Sequence, residues 1–256
     1  MLSNAPAGTS EAPLQQFSPE RDAVIAEIVL ASRILAREGI VDSFGHVSAR
    51  HPDRRDHYLM PRTRAAELVT PEDVLAFDRE DALVSVTQAR IFAERSIHGA
   101  IYRARPDVQA ICHHHAPAMM PFCTSDAALV PVFHLGATMG ATVPLWDSQD
   151  EFGDTNLIVS SQAQGDSLAR ALGSNWTVLM RGHGATVAGR SLREMTFRAI
   201  YGARNAEVQL KAAQLGTVRR LTAAEAFSAA EFNLTPFAMD RAWEQWTRHV
   251  DAPTPF

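Results

Sequence analysis

Two stretches of this chain offer imidazoles that could meet at one ion. AICHHHAP (110–117) carries His113, His114 and His115 in a row, and MRGHGATV places His183 between two glycines. On an extended strand side chains alternate between faces, so His113 and His115 point one way while Cys112 and His114 point the other. At a rise of about 3.3 Å per residue the two same-side imidazoles stand roughly 7 Å apart, close enough to converge on one divalent ion when their side chains turn inward. Two half-exposed strand histidines would look the same, so an HxH pair needs a third ligand. His183 is the candidate, because its glycines let the backbone turn sharply and approach a site without Cβ obstruction; a plain turn histidine is the competing reading. Glu94, in FAERSIH, is the acid placed to face such an ion, although a glutamate taken alone is more often a solvated helix residue. Imidazole nitrogens accept Zn, Mn, Fe or Co, and one such ion per chain would act as a Lewis acid on a bound oxygen.

The elements that position these groups follow from punctuation and periodicity. SPERDAVIAEIVLASRILAREG reads as a helix capped by Ser18, opened by Pro19 and stopped at Gly39, with Ile25, Ile28, Val29, Leu35 and Ala36 on one face. GHVSARH and HYLMPRT flank the polar DRRD as a β-hairpin, and VLAFD reads as a further strand. The spacing predicts a helix from about Ala89 to Arg105, ended by Pro106, which carries Glu94 and leads into the strand DVQAICHHH. LVPVFHL and LIVSS are strand candidates, GDSLARALG a helix ending at Gly173, and WTVLMRGHGATVAG two strands broken at His183. A long helix runs between Ser191 and Gly216, and a last one covers Ala223 to Phe232. The result is a mixed α/β layered domain.

A chain of 256 residues, 46% of them hydrophobic, can bury one sizeable core, and residues 18–256 are read as one domain behind a disordered tail at 1–17. The net charge of −5 is spread without a basic stripe, which argues against nucleic acid and anionic membranes and for a small-molecule substrate. Cys112 and Cys123 form neither a CxxC pair nor a disulfide framework, so a reducing, cytoplasmic setting is expected, with Cys112 packing as a small apolar residue. The first 17 residues are read as a tail rather than a secretion signal, and no apolar stretch reaches membrane-spanning length.

AERSIHGAIYRARPDVQAICHHHAP, with LMRGHGATVAG after it and FGHVSAR before it, resembles the class II aldolase/adducin family from about Val24 to Gly216. The resemblance implies that His113, His115 and His183 bind a divalent metal and that Glu94 is a fourth ligand or the acid/base. It also implies a three-layer α/β/α sandwich with a mainly antiparallel central sheet, commonly a homotetramer with active sites near subunit interfaces. Family aldolases hold a sugar phosphate with an Asn in a GNxS turn, a Ser/Thr-Gly segment and Ser-Ser before the glutamate, since phosphate needs several short donors at once. Here His46 takes the Asn position, MPRTRAAEL supplies Arg62 and Arg64, and Phe92 and Ala93 precede Glu94, a poor phosphate cradle.

Arg62, Arg64 and Arg181 each offer a planar guanidinium that matches a carboxylate, and Phe92 and Phe122 could pack on a flat ring. Each also has a plain reading, as a solvated arginine or a core phenylalanine. IHGAIYRARPDV, HHHAP, PFCTS and VFHLGATMG resemble the branch that decarboxylates hydroxylated aromatic dicarboxylates such as dihydroxyphthalates and a hydroxypyridine dicarboxylate, where His134 also has a counterpart. The leading expectation is therefore a metal-dependent decarboxylase of an aromatic carboxylate, with Glu94, His46 or His134 delivering the proton that replaces CO2. Rival expectations are aldol chemistry on a non-phosphorylated hydroxy-keto substrate, Fe(II)-dependent oxygen chemistry, and a non-catalytic module like the adducin head. His51, His57, His98 and His249 are read as structural or surface residues, with His98 one turn after Glu94 and able to orient it.

Overall fold

The computed structural model describes residues 18–85 and 87–251; the expected tail at 1–17 lies outside them. The first helix, α1 (Pro19–Arg37), carries its expected punctuation: Ser18 Oγ accepts the Arg21 N–H at 3.0 Å, Pro19 opens the first turn, and Gly39 follows with a φ of 70°. β1 (His46–Arg50) and β2 (His57–Pro61) form the antiparallel hairpin, and β3 (Val74–Asp78) pairs with β2. Next come α2 (Arg95–Ala104), β4 (Ala110–His114), the single turn α3 (Met120–Cys123), β5 (Leu145–Trp146), α4 (Gln149–Phe152) and α5 (Gln162–Leu172). β6 (Thr177–Met180) and β7 (Gly184–Gly189) follow, and then α6 (Leu192–Leu215), α7 (Ala223–Asn233) and α8 (Pro236–Asp251) close the chain.

The seven strands make one sheet in the order β3-β2-β1-β4-β7-β6-β5, with every neighbouring pair antiparallel except β5 with β6. Strand alternation sends Val47, Ala49, Ala110, Cys112, Ala185 and Val187 into a core with α1, α6 and α8. Their neighbours Ile111, Val178, Met180 and Ala188 enter a second core with α2 and α5. Helices cover both faces, so the layer order is α/β/α with a mainly antiparallel sheet, as expected.

Several elements differ from the sequence reading. α2 begins at Arg95, six residues later than expected, because the chain ahead of it is held extended: the Arg90 carbonyl accepts the Thr63 N–H at 2.8 Å. Glu94 therefore caps α2 instead of riding on it. LVPVFHL forms no strand. Two of its backbone N–H groups go to side-chain amides on α6: Val130 donates to Gln209 Oε1 and Val132 to Asn205 Oδ1, each at 2.9 Å. LIVSS likewise runs as a loop, in which the Val159 N–H donates to Glu94 Oε1 at 3.2 Å and the Val159 carbonyl accepts from Ser96 Oγ at 2.7 Å. The sequence reading missed α3, β5, α4 and all of α8, the last of which brings Trp243 and Trp246 into the α1/α6 core. No helix among the described residues is long and apolar enough to cross a membrane.

Candidate metal centre

β4 lies in the middle of the sheet, with His113 opposite His46 of β1 on one side and Thr186 of β7 on the other. His113 shares the face of Ile111, toward α2, where Glu94 caps the helix. His115 stands one residue beyond β4, and His183 occupies the turn from β6 to β7, which Gly182 makes possible with a φ of 65°. Gly184 serves close approach instead: a Cβ there would lie 2.4 Å from the His114 carbonyl oxygen and 2.8 Å from His115 Cδ2.

The three rings close on one another. Centroids are 4.8 Å apart for His113 and His115, 4.8 Å for His113 and His183, and 5.1 Å for His115 and His183. His113 Nε2 is 3.1 Å from His115 Nε2, and one nitrogen from each residue falls within 4.8 Å of the others. Burial, reinforced by the neighbouring imidazoles, pushes His113 well below the ordinary histidine range and lowers His115. Burial also lowers His183, against the pull of the Glu94 carboxylate. The three rings are thus neutral and present lone pairs. His113 Nδ1 lies 3.2 Å from Thr186 Oγ1, a contact that fixes the ring and leaves Nε2 to face the cluster.

Glu94 closes the open side, with Oε1 3.4 Å from His183 Nε2 and Oε2 3.7 Å from His113 Nε2. Burial alone would raise this carboxyl, but His46, His183 and the Val159 N–H outweigh it and hold it below the usual range. Neutral nitrogens converging beside an anionic oxygen are the donor set a divalent ion of Zn, Mn, Fe or Co type requires, so the residues fit such an ion.

His46 joins the group, its Nε2 3.9 Å from Glu94 Oε2 and buried without a hydrogen-bond partner. Phe92 packs against it, ring centroids 4.6 Å apart. The other sequence candidates engage groups outside the imidazole cluster. Arg62 Nε pairs with Asp73 at 2.6 Å and Arg64 Nε with the same carboxylate at 3.2 Å, while Arg181 pairs with Asp147. Phe122 is a core residue, turned inward by α3. His134 is exposed on the segment that crosses α6, and Asn233 of α7 donates to its carbonyl at 3.2 Å. His98 orients His46 and not Glu94, because Glu94 sits before the helix and His98 faces β1. The sequence reading missed Thr186, Ser48 and Tyr102. For the last two a signal existed: His46 and Ser48 are two apart on a strand, and His98 and Tyr102 four apart on a helix, the spacings that share a face.

The family model described as Class II Aldolase and Adducin N-terminal domain matches residues 26–210. Decarboxylase tropJ of Talaromyces stipitatus is 29% identical over 251 residues, covering 89% of this chain and 94% of that protein. The 3,4-dihydroxyphthalate decarboxylase of Terrabacter sp. is 27% identical over 210 residues, 78% of this chain and 85% of its own length. Among solved structures, L-fuculose 1-phosphate aldolase from Glaciozyma antarctica superposes with a TM-score of 0.76 at 23% identity, covering 94% of each chain.

Proposed function

The chain belongs to the class II aldolase and adducin family, and from that membership and the geometry of the site we propose that it is a metal-dependent decarboxylase of a hydroxylated aromatic dicarboxylate. The observation that carries this reading is the convergence of His113, His115 and His183 on one point faced by an anionic Glu94. The relatives named as decarboxylases favour loss of CO2 over aldol cleavage. Phe92 beside His46 favours a flat ring over a phosphate, which would need several hydroxyl or amide donors in that place.

A divalent ion held by the three imidazoles would supply Lewis acidity, worth several kcal/mol to an oxyanion next to the breaking bond. Everything else is the work of side chains. When the carboxylate departs as CO2, its bonding electron pair stays on the ring carbon, and a proton must reach that carbon. His46, with Nε2 buried and directed toward Glu94, is placed to deliver it. Phe92 holds the ring by packing. Arg62 and Arg64 engage Asp73 through Nε, which leaves their terminal amines to pair with a second substrate carboxylate. His134 has no part in this reading.

On family grounds we read residues 18–256 as one catalytic domain, working in the cytoplasm as a homotetramer. An assay of CO2 release over a panel of hydroxyaromatic dicarboxylates, dihydroxyphthalates included, tests the reaction. Aldehyde release from hydroxy-keto acids without CO2 would establish the aldol alternative on the same side chains.

A further inference from the structure

A line of buried polar groups leads away from the metal cluster. His46 Nδ1 lies 2.7 Å from His98 Nε2, His98 Nδ1 lies 2.6 Å from Ser48 Oγ, and Ser48 Oγ lies 2.8 Å from the Tyr102 hydroxyl. His46 and Tyr102 are at most 6% exposed, and Ser48 and His98 are fully buried. Burial, with His46 beside it, lowers His98 well below the ordinary range, so this ring is neutral and has one donor and one acceptor nitrogen. With a single proton on His46 as well, a line in which every group hands its hydrogen bond on to the next runs in one of two directions.

In the first, Tyr102 donates to Ser48, Ser48 to His98 Nδ1, and His98 Nε2–H to His46 Nδ1. The His46 proton then sits on Nε2 and points at the Glu94 carboxylate. In the second, every bond reverses: His46 donates to His98, His98 to Ser48, Ser48 to Tyr102. The Tyr102 proton then has no acceptor among the described residues, and the His46 Nε2 lone pair faces an anionic oxygen 3.9 Å away. A buried donor without a partner is costly, and so is a lone pair turned toward a carboxylate. In the first arrangement the one unpaired N–H, at His46 Nε2, faces the anionic Glu94 oxygen 3.9 Å away, an attraction where the second arrangement has a repulsion, and the Tyr102 hydroxyl is paired.

We infer that His98, Ser48 and Tyr102 are positioning residues that hold His46 as the Nε2–H tautomer, with its proton aimed between Glu94 and the imidazole cluster. Burial raises the Tyr102 phenol, so the line ends in a group that keeps its proton. It sets an orientation and does not conduct protons from the surface. That this N–H passes its proton to the ring carbon and recovers one from the substrate hydroxyl or from water rests on the decarboxylase reading; the tautomer does not.

Magic-angle-spinning 15N NMR of the full-length, zinc-loaded protein labelled at histidine separates the two tautomers, with His46→Asn identifying the His46 signals by their loss. The expected spectrum shows His46 protonated at Nε2 alone. His98→Met removes the partner and should give a mixture of tautomers, while His98→Gln, whose amide N–H can reach His46 Nδ1, should restore the single form. On a substrate identified by CO2 release, His98→Met should lower kcat about 10- to 100-fold at little-changed KM, with His98→Gln recovering most of it. A wild-type His46 protonated at Nδ1 overturns the inference without any variant, as does a His98→Met spectrum identical to wild type. A wild type that shows the expected tautomer yet releases no CO2 from any hydroxyaromatic acid would remove the decarboxylase reading and leave the positioning role standing.

Discussion

Several histidines in this chain are held neutral by the fold, and that has a thermodynamic consequence. Burial, with His115 nearby, pushes His114 down to about 3, and His98 and His113 also fall well below their ordinary value of 6.5. In the unfolded chain these rings take up protons near pH 6.5, and in the folded chain they do not, so the unfolded state binds more protons below that pH. Their contribution is complete above about pH 6.5 and is lost as the pH falls below it, by at most about 1.4 kcal/mol per pH unit for each ring. The lowered Glu94 carboxyl acts in a separate window, below its ordinary value of 4.5. Urea midpoints of metal-free protein should therefore drop steadily between pH 7 and pH 5, and a flat profile would mean that the rings are solvated. Glu94→Gln keeps the side chain's shape and removes its charge; turnover should fall at least about 100-fold, measured as CO2 release, if the carboxylate takes part in proton handling.

The elements bring the site together through two glycines that a side chain would displace. Gly165 of α5 lets that helix lie against α2, and a Cβ there would meet the Ser96 carbonyl oxygen at 2.4 Å. Gly165→Ala should destabilise the fold by about 1–3 kcal/mol in urea titration, as overpacking does elsewhere. Gly184→Ala would press on His115, so metal affinity should fall at least about tenfold in competition with a chelator, with the fold largely kept. Much of this architecture is legible in the sequence, because Ser18, Pro19, Gly39, Ser191 and Gly216 mark helix ends through local chemistry. His113, His115 and His183 are legible because their strand and turn spacings restrict where imidazoles can go. The segment LVPVFHL misled because an extended, apolar stretch normally pairs with another strand, and its partners here, Asn205 and Gln209, are side chains on a helix far along the chain. The His46 line depends on β1 lying beside β4, a register that no local pattern encodes. α8 had a readable start in Thr235 and Pro236, and its tryptophans three apart form the apolar stripe that packs on α1 and α6.

Across the whole molecule, the three converging imidazoles come from the centre of the sheet and one end of its strands, where β1, β4 and β7 lie side by side. The family reading expects four copies of the chain together, and light scattering at micromolar concentration should give four times the chain mass; a monomer would remove that part of the proposal. The central claim is simpler than assembly or substrate: three neutral imidazoles hold one cation. Metal analysis by mass spectrometry, on protein incubated with Zn, Mn, Fe or Co salts and then freed of excess ion, tests it directly. Wild type should retain about one divalent ion per chain and His183→Ala should retain essentially none. A wild type that binds no ion, or a folded His183→Ala variant that binds as much as wild type, would contradict it.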